Sequence, residues 1–168
     1  TNLKTILNYS SKKNYLKRVL IISQSRNSNF FKSILNTISK NIIEDIQIVY
    51  RPHPRENKFV SDNSFYSSID NIYDDINSSE IIIGAYSTAL YEALAMGKKV
   101  IVLDVEGATN FKSLQEYKNL FIAKDKSSLL KIIEDILVFN KDIKNNKHKD
   151  NGSYIYAKFD ESKLLNVI

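Results

Sequence analysis

Residues 80–103 read EIIIGAYSTALYEALAMGKKVIVL, and the fold class follows from them. Glu80-Ile81-Ile82-Ile83 is a short β-branched run ended by Gly84, which reads as a buried strand. Ser87 is a favoured helix N-cap, Ala89 to Met96 are nearly all strong helix formers, and Gly97 suits the position just past a helix end. Lys99 to Leu103 then resumes as a second apolar strand. A strand, a crossover helix and a strand in so few residues imply a parallel pair, hence an α/β sheet.

The turn inside this unit carries chemistry. Tyr86, Ser87 and Thr88 fall where the C-terminal end of a parallel strand meets a helix N-terminus. Unpaired backbone N–H groups and the positive end of the helix dipole favour a phosphate there, and two hydroxyls add donors of little bulk. Glu92, four residues beyond Thr88, shares its helix face and can accept hydrogen bonds from sugar hydroxyls. The plainer reading makes Ser87 only an N-cap and Glu92 only a solvated helix residue, and this stretch alone leaves both open.

Around this unit the chain reads as one soluble domain. Its 168 residues suffice for a real core, and 43% apolar with 26% charged residues is ordinary for a globular protein. The absence of cysteine excludes disulfides and thiolate metal sites and fits a reducing compartment. His53 and His148 are the two histidines, without paired-ligand spacing, so no metal site is expected. The net charge of +5 comes partly from Lys-rich termini, and no nucleic-acid-binding pattern accompanies it. No apolar run approaches the roughly 20 residues that span a bilayer, and no signal peptide is read. The start at Thr1 suggests a piece of a longer protein.

In chain order, residues 1–17 read as a linker or N-terminal helix. Arg18 to Ser23 reads as a first strand, followed by a polar turn from Gln24 to Ser28. Phe30, Phe31, Ile34, Leu35 and Ile38 recur at helical spacing over Asn29 to Lys40, and Ile46 to Tyr50 is a second strand. Phe59-Val60-Ser61 reads as an edge strand, and Ser64 to Asn77 as a helix with Ile69, Ile72, Tyr73 and Ile76 in register. Beyond Leu103, Asp104 to Lys112 reads as a loop whose Asp104 and Glu106 belong to the same sheet edge. Ser113 to Lys118 reads as a short helix, Leu120 to Ala123 as a last strand, and Lys126 to Phe139 as an amphipathic helix. Residues 18–139 thus form a Rossmann-like three-layer αβα domain with a mostly parallel sheet of about six strands. Residues 140–168 read as a mobile basic segment and a C-terminal helix.

At the end of the second strand stands Arg51-Pro52-His53-Pro54-Arg55. Its two prolines are the only ones in the chain, and they hold His53 in a stiff, non-helical loop. In a parallel sheet this loop shares the carboxyl edge with Tyr86-Ser87-Thr88, where open α/β sheets bind ligands. The plainer reading is a capped strand end with an exposed histidine. No GxGxxG, Walker loop or Gly-x-Ser-x-Gly elbow is present, which disfavours a dinucleotide dehydrogenase, a P-loop NTPase and a serine hydrolase.

Taken together, Tyr50-Arg51-Pro52-His53-Pro54 and Gly84-Ala85-Tyr86-Ser87-Thr88-Ala89-Leu90-Tyr91-Glu92-Ala93-Leu94-Ala95-Met96-Gly97-Lys98 resemble the C-terminal, donor-binding domain of GT-B-fold glycosyltransferases. The likeness covers about residues 18–139. It is strongest to bacterial enzymes with an HP motif and a downstream Ser/Thr motif: sialyl- and polysialyltransferases, capsule Kdo transferases and CDP-glycerol glycerophosphotransferases. The resemblance implies that His53 is catalytic, contacting the donor phosphate or assisting its departure. It also implies that Ser87 and Thr88 bind phosphate oxygens, that Glu92 holds the ribose, and that Gln24, Arg51, Pro54 and Tyr86 complete the substrate-binding set. A nucleotide sugar is then the substrate, CMP- or CDP-linked in preference to UDP-linked, with no cofactor and no metal. The further expectations are a glycan acceptor bound by a separate N-terminal domain, little turnover by this half alone, and a cytoplasmic location with peripheral association at the inner face of the membrane. A role in capsule, lipopolysaccharide or teichoic-acid-like synthesis belongs with them. Two alternatives remain, a sugar-nucleotide 2-epimerase-like domain and a non-catalytic nucleotide-sugar-binding module.

Overall fold

A computed structural model describes residues 17–42, 46–56, 65–106 and 108–137 of the chain. Six strands form a single sheet: β1 (Lys17–Ile22), β2 (Ile46–Arg51), β3 (Tyr66–Ser67), β4 (Ile81–Gly84), β5 (Lys99–Leu103) and β6 (Leu120–Ala123). Their spatial order is β3-β2-β1-β4-β5-β6, and every neighbouring pair is parallel. Among the described residues four α-helices accompany them: α1 (Ser28–Asn41), α2 (Ile72–Ser78), α3 (Thr88–Ala95) and α4 (Lys126–Leu137).

Two-sided burial explains why the central strands are apolar throughout rather than alternating. Successive side chains point to opposite faces. On one face Val19, Ile21, Ile48, Tyr50, Ile81, Ile83 and Ile101 pack with the apolar stripes of α1 and α4. On the other, Leu20, Val49, Ile82, Val100 and Val102 pack with α3 and with residues of a 3-10 helix over Ala108–Leu114. Ile76 of α2 joins this second core. The result is three layers, helices–sheet–helices.

The local chemistry of α3 fits the sequence reading closely. Ser87 takes extended backbone angles, and its Oγ accepts the Ala89 N–H at 3.3 Å. At the other end Gly97 has φ 75°, its N–H reaches the Leu94 carbonyl at 2.9 Å, and the Lys98 N–H reaches the Ala93 carbonyl at 3.0 Å. These two bonds form a Schellman motif, and the left-handed residue it needs is the glycine.

Two expectations between strands are corrected. The helix expected over Ser64 to Asn77 begins only at Ile72, and Tyr66–Ser67 is instead β3, paired with Val49 and Tyr50. The Ser68 N–H extends that ladder to the Tyr50 carbonyl at 2.8 Å, and Asn71 caps the helix by accepting the Tyr73 N–H at 2.9 Å. Ile69, counted in the helical stripe, is 87% exposed. The loop expected to Lys112 and the helix expected from Ser113 to Lys118 give way to the 3-10 helix over Ala108–Leu114, because Phe111 and Leu114 are buried at its three-residue period. The edge strand expected at Phe59-Val60-Ser61, the linker before Lys17 and the segment over 140–168 lie outside the described residues.

Candidate functional site

In this strand order the sheet reverses direction of growth between β1 and β4. The connection after β1 leads to α1 on one face, and the connection after β4 leads to α3 on the other. The two chains diverge at the carboxyl edge, which opens the crevice where doubly wound sheets hold their ligands.

Three loops meet this edge. Ser23 and half-buried Gln24 follow β1; the Ser23 N–H bonds the Arg51 carbonyl at 3.0 Å, and the Gln24 carbonyl accepts the Asn27 N–H at 3.0 Å as a short 3-10 turn begins. Beyond β4, Tyr86 is half-buried against the core shared with α1 and α4. Thr88 is exposed at the first helical position, where a backbone N–H has no partner within the helix. The Arg51–Glu56 loop follows β2. Since β1 lies between β2 and β4, the His53 and Ser87 loops spring from strands roughly 10 Å apart, two strand spacings. The structure therefore places Gln24, His53, Pro54, Tyr86, Ser87 and Thr88 along one sheet edge.

His53 is held by a β-turn over His53-Pro54-Arg55-Glu56. The turn is closed by the Glu56 N–H on the His53 carbonyl at 2.8 Å, with exposed proline at its favoured second position. Glu56 reciprocates: its Oε1 accepts the His53 N–H at 2.9 Å, and its Oε2 accepts the Tyr50 hydroxyl at 3.0 Å. The Arg55 N–H donates to His53 Nδ1 at 3.1 Å. Tyr50 itself is fully buried. Burial, with the Glu56 carboxylate beside it, pushes its phenol well above the ordinary value of 10.0, and the Ser23 hydroxyl works the other way.

Arg51 behaves differently from its neighbours. Its Nη1 donates to the Asp75 carboxylate at 2.7 Å and to the Asp70 carbonyl at 2.6 Å. Asp75, 1% exposed, also accepts from Arg18 Nη2 at 3.1 Å and from Ser68 Oγ at 2.7 Å, and Arg18 further donates to Ser78 Oγ. The partly buried Arg51 guanidinium thus ties β2 to α2 through buried Asp75.

Glu92 sits on α3, half-buried, and its Oε1 accepts the Tyr73 hydroxyl at a long 3.5 Å. Burial raises the carboxyl above its ordinary value, and the Tyr73 bond opposes this. Burial likewise raises the Tyr73 phenol, with Glu92 beside it adding to the effect. Glu92 therefore has a protein partner on α2. Asp104 and Glu106, beyond β5, are exposed. Among the described residues no cluster of three or more His, Asp and Glu stands ready to hold a metal ion. No helix among them is long and apolar enough to cross a membrane.

Sequence reasoning passed over Glu56, Tyr50, Asp75 and Tyr73. Glu56 had a legible signal: an acidic side chain three residues after the histidine of a proline turn closes that turn reciprocally, as a capping box closes a helix start. Asp75 had none, because its partners lie far from it in sequence, at Arg18 and Arg51.

No protein-family model and no curated protein sequence matches the chain. Solved structures do. The Thermosulfurimonas dismutans KpsC beta-Kdo 2,4 transferase is similar over 92% of this chain and 52% of its own, at 15% identity and TM-score 0.53. A putative UDP-N-acetylglucosamine 2-epimerase from Listeria monocytogenes is similar over 95% of this chain and 51% of its own, at 17% identity and TM-score 0.57. The glycosyltransferase SnogD from Streptomyces nogalater is similar over 76% of this chain and 37% of its own, at 12% identity and TM-score 0.52. At such identities the likeness is one of fold, a Rossmann-like half of a GT-B architecture. The chain spans about half the length of the transferase and the epimerase, and less of SnogD.

Proposed function

We propose that this domain binds the nucleotide-sugar donor of a bacterial glycosyltransferase, in the crevice between the ends of β1 and β4. The observation that carries the reading is the meeting of two donor sets on one edge: a clamped histidine turn after β2 and a serine-capped helix start after β4. Glycosyl transfer builds negative charge on the departing nucleotide. A histidine N–H, two hydroxyls and a helix N-terminus are groups that stabilise such charge without a metal.

In this reading His53 meets the phosphate oxygens from the β2 side, and Ser87 and Thr88 meet them from the α3 side. Gln24, Pro54 and Tyr86 line the floor and walls. Glu92 takes the ribose hydroxyls by exchanging its long Tyr73 bond for shorter ones. Arg51 is reassigned from the substrate to the scaffold, since Asp75 and the Asp70 carbonyl already engage it. A cytidine donor, CMP- or CDP-linked, is preferred to a uridine one. The glycan acceptor and the catalytic base come from a second domain, and the product is a surface polysaccharide built at the inner face of the membrane. The same edge would serve a 2-epimerase, which also binds a nucleotide sugar. The two readings divide on turnover, not on binding.

The test is a calorimetric titration of the chain with CMP, CDP, UDP and GDP, repeated on His53→Ala and on Ser87→Ala/Thr88→Ala. One nucleotide bound in preference, and weakened about tenfold or more by each variant, is expected. Binding that neither variant alters would place the nucleotide elsewhere and sink the reading.

A further inference from the structure

We propose that Glu56 is a positioning residue that acts through His53, fixing the imidazole as an Nε2–H donor, with the buried Tyr50 hydroxyl as its anchor. The proposal rests on the nucleotide-sugar reading above for its ligand, an anionic phosphate oxygen, but its structural half stands without it.

A surface histidine between two prolines has a stiff backbone but a mobile ring. Four bonds, one of them on the ring itself, remove that mobility here. The Arg55 N–H on Nδ1, 3.1 Å away, makes Nδ1 the acceptor nitrogen, so in the neutral ring the proton resides on Nε2. That arrangement requires the Arg55 N–H to point back at the ring, which the turn closed between the His53 carbonyl and the Glu56 N–H provides. The turn in turn is braced by the Glu56 carboxylate, one oxygen on the His53 N–H and the other on Tyr50. Tyr50 is packed in the core and ringed edge-to-face by Phe65, so its hydroxyl is a fixed point rather than a second mobile group. A chain of contacts therefore runs from the core through Tyr50 and Glu56 to the histidine. Among the described residues no hydrogen bond engages Nε2, which leaves that N–H for a ligand oxygen. His53 then serves by donating a hydrogen bond that is aimed before the ligand arrives, not by accepting a proton as a base.

Glu56→Gln retains an acceptor for the His53 N–H and an amide that can meet the Tyr50 oxygen. Glu56→Ala removes both bonds, and Tyr50→Phe removes the anchor while leaving the His53–Glu56 bond in place. Two readouts on the 168-residue chain separate the proposal from a merely structural role. The first needs no ligand. With two histidines in the sequence, ring nitrogen–proton correlation spectra of His53 are read against His148, and His148→Gln assigns them. The wild type and Glu56→Gln are expected to show one tautomer, Nε2–H, with side-chain couplings of a single rotamer. Glu56→Ala and Tyr50→Phe are expected to show averaged couplings and a tautomer mixture. The second readout is a cycle for binding of the preferred nucleotide. Glu56→Ala is expected to weaken it about tenfold in the wild-type background but by less than about twofold when His53 is already Ala, because an effect exerted through a missing ring has nothing to act on. Glu56→Gln is expected to restore binding to within about twofold of the wild type.

A His53 ring with averaged couplings in the wild type, or one unchanged in folded Glu56→Ala, overturns the proposal. So does a Glu56→Ala loss that persists in full without His53. If His53→Ala and the serine–threonine variant leave nucleotide binding intact while the spectra behave as expected, the ligand reading fails and the positioning of the ring stands.

Discussion

Replacing Asp75 tests whether Arg51, at the carboxyl end of β2, is scaffold or site. Asp75 is 1% exposed and accepts three side-chain donors: Arg51 at 2.7 Å, Ser68 at 2.7 Å and Arg18 at 3.1 Å. In Asp75→Ala both guanidinium groups lose their countercharge while their side chains remain mostly buried, at 24% and 14% exposure. Removing one partner of such a buried ion pair costs about 3–5 kcal/mol. The two arginines keep the Asp70 carbonyl and Ser78 Oγ, which argues for the lower half of that range. In a chain of this size such a loss lowers Tm by roughly 6–20 °C. Arg51→Ala should cost less, about 1.5–3 kcal/mol, because Asp75 still has Arg18 and Ser68. The double variant should cost less than the sum, since both changes break the same bond. Urea unfolding followed by circular dichroism measures all three, with an unchanged m value confirming that midpoints report stability. Nucleotide affinity of folded Arg51→Ala should match the wild type. An Arg51→Ala variant of native stability that binds nucleotide about tenfold more weakly would refute the scaffold assignment and return Arg51 to the substrate.

Gly97→Ala should destabilise by about 1–2 kcal/mol through backbone strain alone, as φ is 75° and no atom stands within 4 Å of the added Cβ; urea midpoints check this. Gly84→Ala should cost about 1–3 kcal/mol for the opposite reason, because the new Cβ falls 2.9 Å from a methyl of fully buried Leu90. Gly84→Ala/Leu90→Val should recover part of that loss. Burial holds the Glu92 carboxyl above its ordinary value of 4.5. The native state therefore keeps its proton longer than the unfolded chain, so this residue's contribution declines as pH rises from about 4.5 through the folded value. Glu92→Gln should flatten the stability-against-pH curve in that window, and a slope identical to wild type would count against it. For Tyr50 the same sign holds at alkaline pH: its contribution is intact below about 10 and falls above it, and Tyr50→Phe should remove that part of the alkaline loss.

Where sequence sufficed, the physics was local. The β4–α3–β5 unit was legible because each boundary is written in its own residues: an N-capping serine, a run of helix formers, a left-handed glycine. Five of the six parallel strands followed from apolar runs, the central ones buried on both faces; the short edge strand β3 did not. Where sequence misled, a contact distant in sequence had prevailed. Tyr66–Ser67 lies in the span read as a helix from Ile69, Ile72, Tyr73 and Ile76, yet two residues of parallel ladder pair it with the end of β2. The Arg51–Asp75 ion pair was likewise out of reach of the sequence, since only the fold brings Asp75, 24 residues later, to within 2.7 Å of Arg51. Conversely, Glu56 was within reach of the sequence, three residues from His53, and its role emerges only once Tyr50 is seen to be buried beneath it.

An Arg51 held by Asp75 changes what the proposed crevice presents. A guanidinium at the edge would attract any polyanion at long range and would be screened by salt. With the Arg51 charge matched by Asp75, exposed Arg55 is the cation of the histidine turn, and the other groups of the proposed site act at short range: an imidazole N–H, two hydroxyls and a helix start. Such donors discriminate by position rather than by charge, so their value depends on how firmly each is held. Ser87 is held by its own capping bond to Ala89, and His53 by the Tyr50–Glu56 brace. Both holds draw on rigid elements next to the switch point, a buried strand residue on one side and a helix on the other. The ion pair is thus part of the proposed site's construction although it touches nothing in it: it fixes the end of β2, from which the histidine turn departs, and matches the Arg51 charge within the fold.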